Sequence, residues 1–108
     1  MLSLLAVKID YNININMTFY YIMKDPDKNN GCKLGITKNP PQRLKAYRTA
    51  APACYYYMLY KIPNKIHERR ILDLLKDIVP VNREYVYGNI IIIQNIIEGY
   101  FDDNDIMY

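Results

Sequence analysis

Thr18-Phe19-Tyr20-Tyr21-Ile22-Met23 is a β-branched and aromatic run that stops at Asp25-Pro26-Asp27 and Asn29-Asn30-Gly31, and Cys32-Lys33-Leu34-Gly35-Ile36-Thr37 follows directly. A run of that composition closed by turn residues predicts a strand and a hairpin loop, with residues 32–37 as the antiparallel partner. Asn39-Pro40-Pro41 then opens a helix. Asparagine caps exposed N–H groups, and proline has no N–H to lose in a first turn. Thr49-Ala50-Ala51-Pro52 should end that helix near Arg48.

Outward from this core, Ala53 to Ile62 carries four tyrosines and reads as a third strand, closed by Pro63-Asn64. From Lys65 the apolar residues Ile71, Leu74, Leu75 and Ile78 recur with helical period, so a helix is expected to about Asp77, with Pro80 as its stop. Arg83 to Tyr87 reads as a short extended segment before Gly88. Ile90 to Ile93 favour a strand by propensity, yet Ile93, Ile96, Ile97, Tyr100 and Phe101 repeat every three or four residues and Asn89 is a good cap. Helix is the expectation there.

The predicted order is strand, strand, helix, strand, helix, helix, and the predicted class is α+β, a small three-stranded antiparallel sheet flanked by helices. Residues 1–17 alternate loosely through Val7, Ile9, Tyr11, Ile13 and Ile15, as an N-terminal extension or edge strand would. Residues 18–102 form the expected domain, and 103–108 an acidic tail.

With 108 residues and 51% apolar side chains, one domain with one modest core is expected. Cys32 and Cys54 have neither CxxC spacing nor companions at ligand spacing, which argues against zinc and for reduced thiols. The opening Met1 to Val7 is too short for a signal peptide, and nothing reaches membrane-spanning length. The expected location is therefore intracellular, cytoplasmic or nuclear. Net charge is +3 but uneven: Lys24 to Arg48 holds seven basic and two acidic residues, while Glu98 to Tyr108 holds four acidic and no basic ones. The basic half suits a phosphate backbone, against the alternative of an ordinary solvated surface. Isoleucine, asparagine, tyrosine and lysine fill 48 positions, and their A+T-rich codons point to a viral or mobile-element origin.

The predicted hairpin puts Tyr21 and Lys33 on neighbouring strands beside Gly35, where a missing side chain lets another group approach the backbone. Phe19-Tyr20-Tyr21 and Lys33-Leu34-Gly35, followed by Arg43 and Glu68, resemble the GIY-YIG endonuclease superfamily over roughly residues 18 to 86. Lys33 stands where the better-known signature has tyrosine, in the manner of a phage-type branch with Lys-Ile-Gly. The resemblance implies DNA phosphodiester hydrolysis with one divalent ion, Mg2+ or Mn2+. It implies that Tyr21 or Lys33 activates water and that Arg43, eight residues past Gly35, steadies the scissile phosphate. Glu68 matches the family's single metal-ligating glutamate.

Independent chemistry accompanies each position. A guanidinium meets two phosphoryl oxygens bidentately, and Tyr47 shares the helical face of Arg43 one turn on. Lysine acts as a base only where burial or cationic neighbours lower its pKa, and otherwise holds phosphate as a point charge. Glu68 continues the apolar stripe of Ile71, Leu72 and Leu75, so its carboxylate should face the sheet, where a cation must meet it. The bland alternatives are strand packing for Tyr21, a surface lysine at Lys33, half-core packing for Tyr47 and a local ion pair for Glu68. His67 lacks the second histidine of a zinc helix and reads as a site-edge or surface residue. Arg83-Glu84-Tyr85-Val86 is similar to the motif that closes the domain in the phage-type branch, with a structural role.

DNA is thus the expected partner, with a homodimer or partner protein supplying specificity and no membrane. Two other classes fit the same fold: a catalytically silent domain binding branched or single-stranded nucleic acid, and a protein-interaction module.

Overall fold

The computed structural model describes residues 17–28 and 30–108; the expected N-terminal extension or edge strand lies almost entirely outside them. Strand β1 (Thr18–Lys24) pairs antiparallel with β2 (Gly31–Thr37) on one side and with β3 (Tyr55–Ile62) on the other. Because β1 is central, both its faces are covered, which explains a continuous apolar run in place of an alternating one. Helix α1 (Pro40–Arg48) follows β2, α2 (Ile66–Lys76) follows β3, and α3 (Ile90–Asp103) closes the domain.

Five strands, not three, make up the sheet, in the order β3-β1-β2-β5-β4. Strands β4 (Val81–Asn82) and β5 (Tyr85–Tyr87) form a hairpin whose second arm pairs Gly31 with Tyr87 and Lys33 with Tyr85. Two- and three-residue strands are too short to show a period. Their two-residue loop, Arg83-Glu84, also lacks the Asn-Gly or Asp-Gly chemistry that announces a hairpin.

Side chains of β1 alternate between two cores. Tyr20 and Ile22 face α2 and α3, joined by Leu34, Tyr60, Ile71, Leu75, Ile93, Ile97 and Phe101. Phe19, Tyr21 and Met23 face α1, with Leu44, Cys54, Tyr56 and Leu59. Each fully buried side chain of this size contributes about 1.5–3 kcal/mol. The register of β1 against β3 shifts between Ile22 and Met23, where partners pass from Met58 to Tyr56 and leave Tyr57 as an extra residue.

Helix α1 buries Pro40 and Leu44 alone, so polar bonds hold it in place. Asn39 accepts from the Gln42 N–H at 3.1 Å, the Tyr56 hydroxyl donates to the Pro40 carbonyl at 2.7 Å, and Arg48 Nε donates to the Cys54 carbonyl at 2.9 Å. The buried face of α2 is His67, Ile71 and Leu75, whereas Leu74 and Ile78, expected on the apolar stripe, are 40% and 53% exposed. The stripe turns one residue away because the helix ends at Lys76 and meets the sheet along its Ile71 line. Asn89 caps α3 by accepting from Ile91 and Ile92, which resolves the isoleucine run as helix. Cys32 and Cys54 are buried free thiols. Among the described residues no helix is long and apolar enough to cross a membrane.

Candidate active site

Tyr21 and Gly35 are direct partners across β1 and β2, on the face that α1 covers. A Cβ on Gly35 would sit 2.6 Å from Tyr21 Cζ and nearer still to its hydroxyl, so glycine makes room for the phenol. The ring of Tyr21 runs over that gap toward α1. There its hydroxyl meets the Tyr47 hydroxyl at 3.3 Å. Arg43, one turn earlier on α1 and exposed, lies close enough to both phenols to interact with them electrostatically.

Lys33 lies two residues before Gly35 on the same face. Its Nζ is 3.6 Å from Glu84 Oε2 and 4.7 Å from the centre of the Tyr47 ring. The lysine is therefore turned into the site. A carboxylate on one side and an aromatic face on the other both suit an ammonium.

Glu68 arrives from the opposite layer. The Leu34 N–H donates to the Glu84 carbonyl, so the Ile36 N–H, two residues on, faces the same edge just where β5 has ended. The Glu68 carboxylate lies near that N–H, which favours its charged form. Burial and then the Glu84 carboxylate push its pKa above the ordinary 4.5, opposed by the Ile36 N–H and Arg43. Behind it the Tyr20 hydroxyl is buried with no hydrogen-bond partner, and burial followed by the Glu68 charge raises that phenol.

Tyr21, Lys33 and Tyr47 therefore lie together beside Gly35, and Arg43 couples electrostatically to Tyr21, Tyr47 and Glu68. Glu84 joins them through Lys33, through its electrostatic effect on Glu68 and through a smaller one on Tyr21. Sequence reading assigned the Arg83-Glu84-Tyr85-Val86 motif a structural role and missed Glu84. Its place in the site depends on the unforeseen β4–β5 hairpin.

His67 stays out of the site. Its Nδ1 is 2.8 Å from the Tyr100 hydroxyl and its ring packs edge-on to Tyr100, joining α2 to α3. It is a buried interhelical tie, not the surface or site-edge residue expected. Burial, then Arg70, lowers the imidazole below its ordinary 6.5. The depressed value means a stabilising contribution present above 6.5 and lost as pH falls below it through the folded-state value. His67→Ala should cost about 1–2 kcal/mol in urea unfolding at neutral pH. The same variant should leave divalent-metal binding unchanged, and a loss of metal affinity would contradict this placement.

No three of His, Cys, Asp and Glu gather as a metal cluster among the described residues. Glu68, a half-buried carboxylate, is chemically suited to magnesium or manganese, which bind through one or two carboxylates and keep several waters. Zinc, with its need for three or four protein ligands, does not fit.

The antiparallel α+β sheet thus carries phenols, two cations and a carboxylate-bearing edge around one glycine. The chain belongs to the T5orf172 domain family, which matches residues 18–100. That domain is phage-associated and related to GIY-YIG-like or nuclease-like folds. No curated protein and no solved structure matches the chain.

Proposed function

We propose that the chain is a divalent-metal-dependent endonuclease of the GIY-YIG superfamily that hydrolyses DNA phosphodiester bonds inside the cell. The reading is supported by the cluster of Tyr21, Tyr47 and Lys33 beside Gly35, with Arg43 coupled electrostatically to the phenols and to Glu68. Phosphodiester hydrolysis gathers negative charge on the non-bridging oxygens as water attacks phosphorus. Arg43 and Lys33 are placed to meet that charge from two elements, the first as a planar fork and the second as a point charge.

Tyr21 is fully buried, and burial followed by its bond to Tyr47 holds its phenol well above the ordinary tyrosine range. It therefore stays neutral and orients Tyr47. Tyr47 is half-buried, holds its hydroxyl 3.3 Å from that of Tyr21, and is the more accessible phenol to touch the attacking water. Lys33, 3.6 Å from the Glu84 carboxylate, would hold the phosphate as a point charge. Glu68, with Glu84 beside it, would hold magnesium or manganese, which supplies Lewis-acid polarisation of phosphate and activation of water.

Magnesium binding tests the reading without cleavage. Added Mg2+ should raise the thermal midpoint of the wild-type chain and leave Glu68→Gln unmoved. In metal-free buffer the sign reverses. A raised carboxyl pKa stabilises the fold below the unfolded value near 4.5, and that contribution is lost as pH climbs through the folded value. Glu68→Gln removes the repulsion from Glu84 and should melt higher than wild type at neutral pH. The affinity for Mg2+ should fall with acid at a pH above the ordinary glutamate value of 4.5. A midpoint shift equal in both proteins would count against Glu68 as ligand.

A further inference from the structure

Helix α1 packs on the β1–β3 half of its sheet face through Leu44, Tyr47 and the side chains around them. Beyond α1, toward β5 and β4, that face carries a groove. Lys33 opposes Tyr85, and Gly31 opposes Tyr87, so both tyrosines project on the side of Lys33. Gly31 matters because any side chain there would strike the Val86 carbonyl and come within 3.0 Å of Tyr85 Cε1. The two rings lie side by side, 5.0 Å between centres, and Lys28 Nζ stands 5.3 Å above the Tyr85 ring.

A groove of about 710 Å³ runs over these residues, lined by Lys28, Lys33, Arg83, Glu84, Tyr85 and Tyr87 among others. Three cations face one carboxylate in it, and that carboxylate is engaged by Lys33. Two features of the groove are otherwise unexplained. The Tyr85 hydroxyl is buried without a hydrogen-bond partner. Arg83 sits at φ 58° in the two-residue loop between paired Asn82 and Tyr85, where glycine or asparagine is the unstrained choice. Arg83 nonetheless stands there and lines the groove.

We propose that this grooved sheet face is a platform for single-stranded nucleic acid, with Tyr85 and Tyr87 stacking bases and Lys28, Arg83 and Lys33 holding phosphates. Tilted aromatic rings on a sheet surface, edged by cations, meet unpaired bases, whereas a duplex hides its base faces. Lys33 belongs to both groove and candidate active site, so a strand on the platform leads straight to the cleft. The substrate it selects is DNA with an unpaired segment beside the scissile bond. This deepens the nuclease reading and rests on it for the cutting step, but binding is measured without metal.

Fluorescence anisotropy of the full chain in EDTA, with a labelled oligothymidylate of roughly 12 nucleotides and a duplex of equal length, tests it. The single strand should bind more tightly than the duplex. Tyr87→Ala should weaken it about tenfold while Tyr87→Phe binds as wild type. Arg83→Gly relieves the loop backbone, so it folds, and should lower the salt slope by about 0.7. Duplex binding at least as tight as single-strand binding, or Tyr87→Ala binding as wild type, overturns the platform. Tyr87-dependent binding with no cleavage under any divalent metal supports the platform and overturns the nuclease reading. Cleavage with binding indifferent to both Tyr87 and Arg83 overturns the platform alone.

Discussion

Arg43→Ala is expected to lower metal-dependent DNA cleavage by about a thousand- to a hundred-thousand-fold, the range found when an arginine that meets a transferring phosphoryl group is removed. The size of the effect follows from its surroundings. Its side chain interacts with the phenols Tyr21 and Tyr47, which do not cancel its charge as a carboxylate would. It needs no reorganisation when charge develops on the phosphate. Because Arg43 is exposed, the substitution should change folding stability by no more than about 0.5 kcal/mol. Arg43→Lys keeps the charge, loses the fork and should recover only part of the activity. Single-turnover cleavage of a labelled substrate reads the loss directly, and a drop smaller than about tenfold would remove Arg43 from the reaction.

Gly35→Ala should do comparable damage through the fold. The added methyl would lie 2.6 Å from Tyr21 Cζ, and Tyr21 is fully buried between Gly35, Tyr47 and Tyr56, so the ring cannot step aside. Overpacking of this kind costs about 1–3 kcal/mol. The displaced phenol would also lose its 3.3 Å contact with Tyr47, taking the orientation of Tyr47 and Arg43 with it. Urea unfolding and cleavage should therefore fall together. Tyr21→Phe in the same chain removes the hydroxyl clash but leaves the Cζ one, so it should restore part of the stability and little activity. A Gly35→Ala protein as stable as wild type would show that the Tyr21 ring does not need the space.

Much of this was legible in the sequence because the deciding features are local. A buried central strand reads as an unbroken apolar run, and turn residues, proline and asparagine mark its neighbours, so β1, β2, α1 and α3 stand close to where their residues place them. The sequence pattern put Glu68 on the apolar stripe of α2, whereas the buried line runs through His67, Ile71 and Leu75 and leaves Glu68 half-buried beside it. The fourth and fifth strands were not legible, since the β4–β5 hairpin exists through its pairing with residues 31–33, a non-local fact that two and three residues cannot encode alone. Glu84 was lost with them, and with it the partner that fixes Lys33. The burial of His67 was missed for a similar reason: its Tyr100 partner lies 33 residues away on α3.

The most direct test of the central claim is cleavage itself. Purified chain incubated with plasmid and with branched DNA, in Mg2+ or Mn2+, should nick or cut the substrate, and Glu68→Gln should reduce the rate by at least about a thousandfold. DNA left intact by the wild-type chain under both metals, or cut equally well by Glu68→Gln, would contradict it.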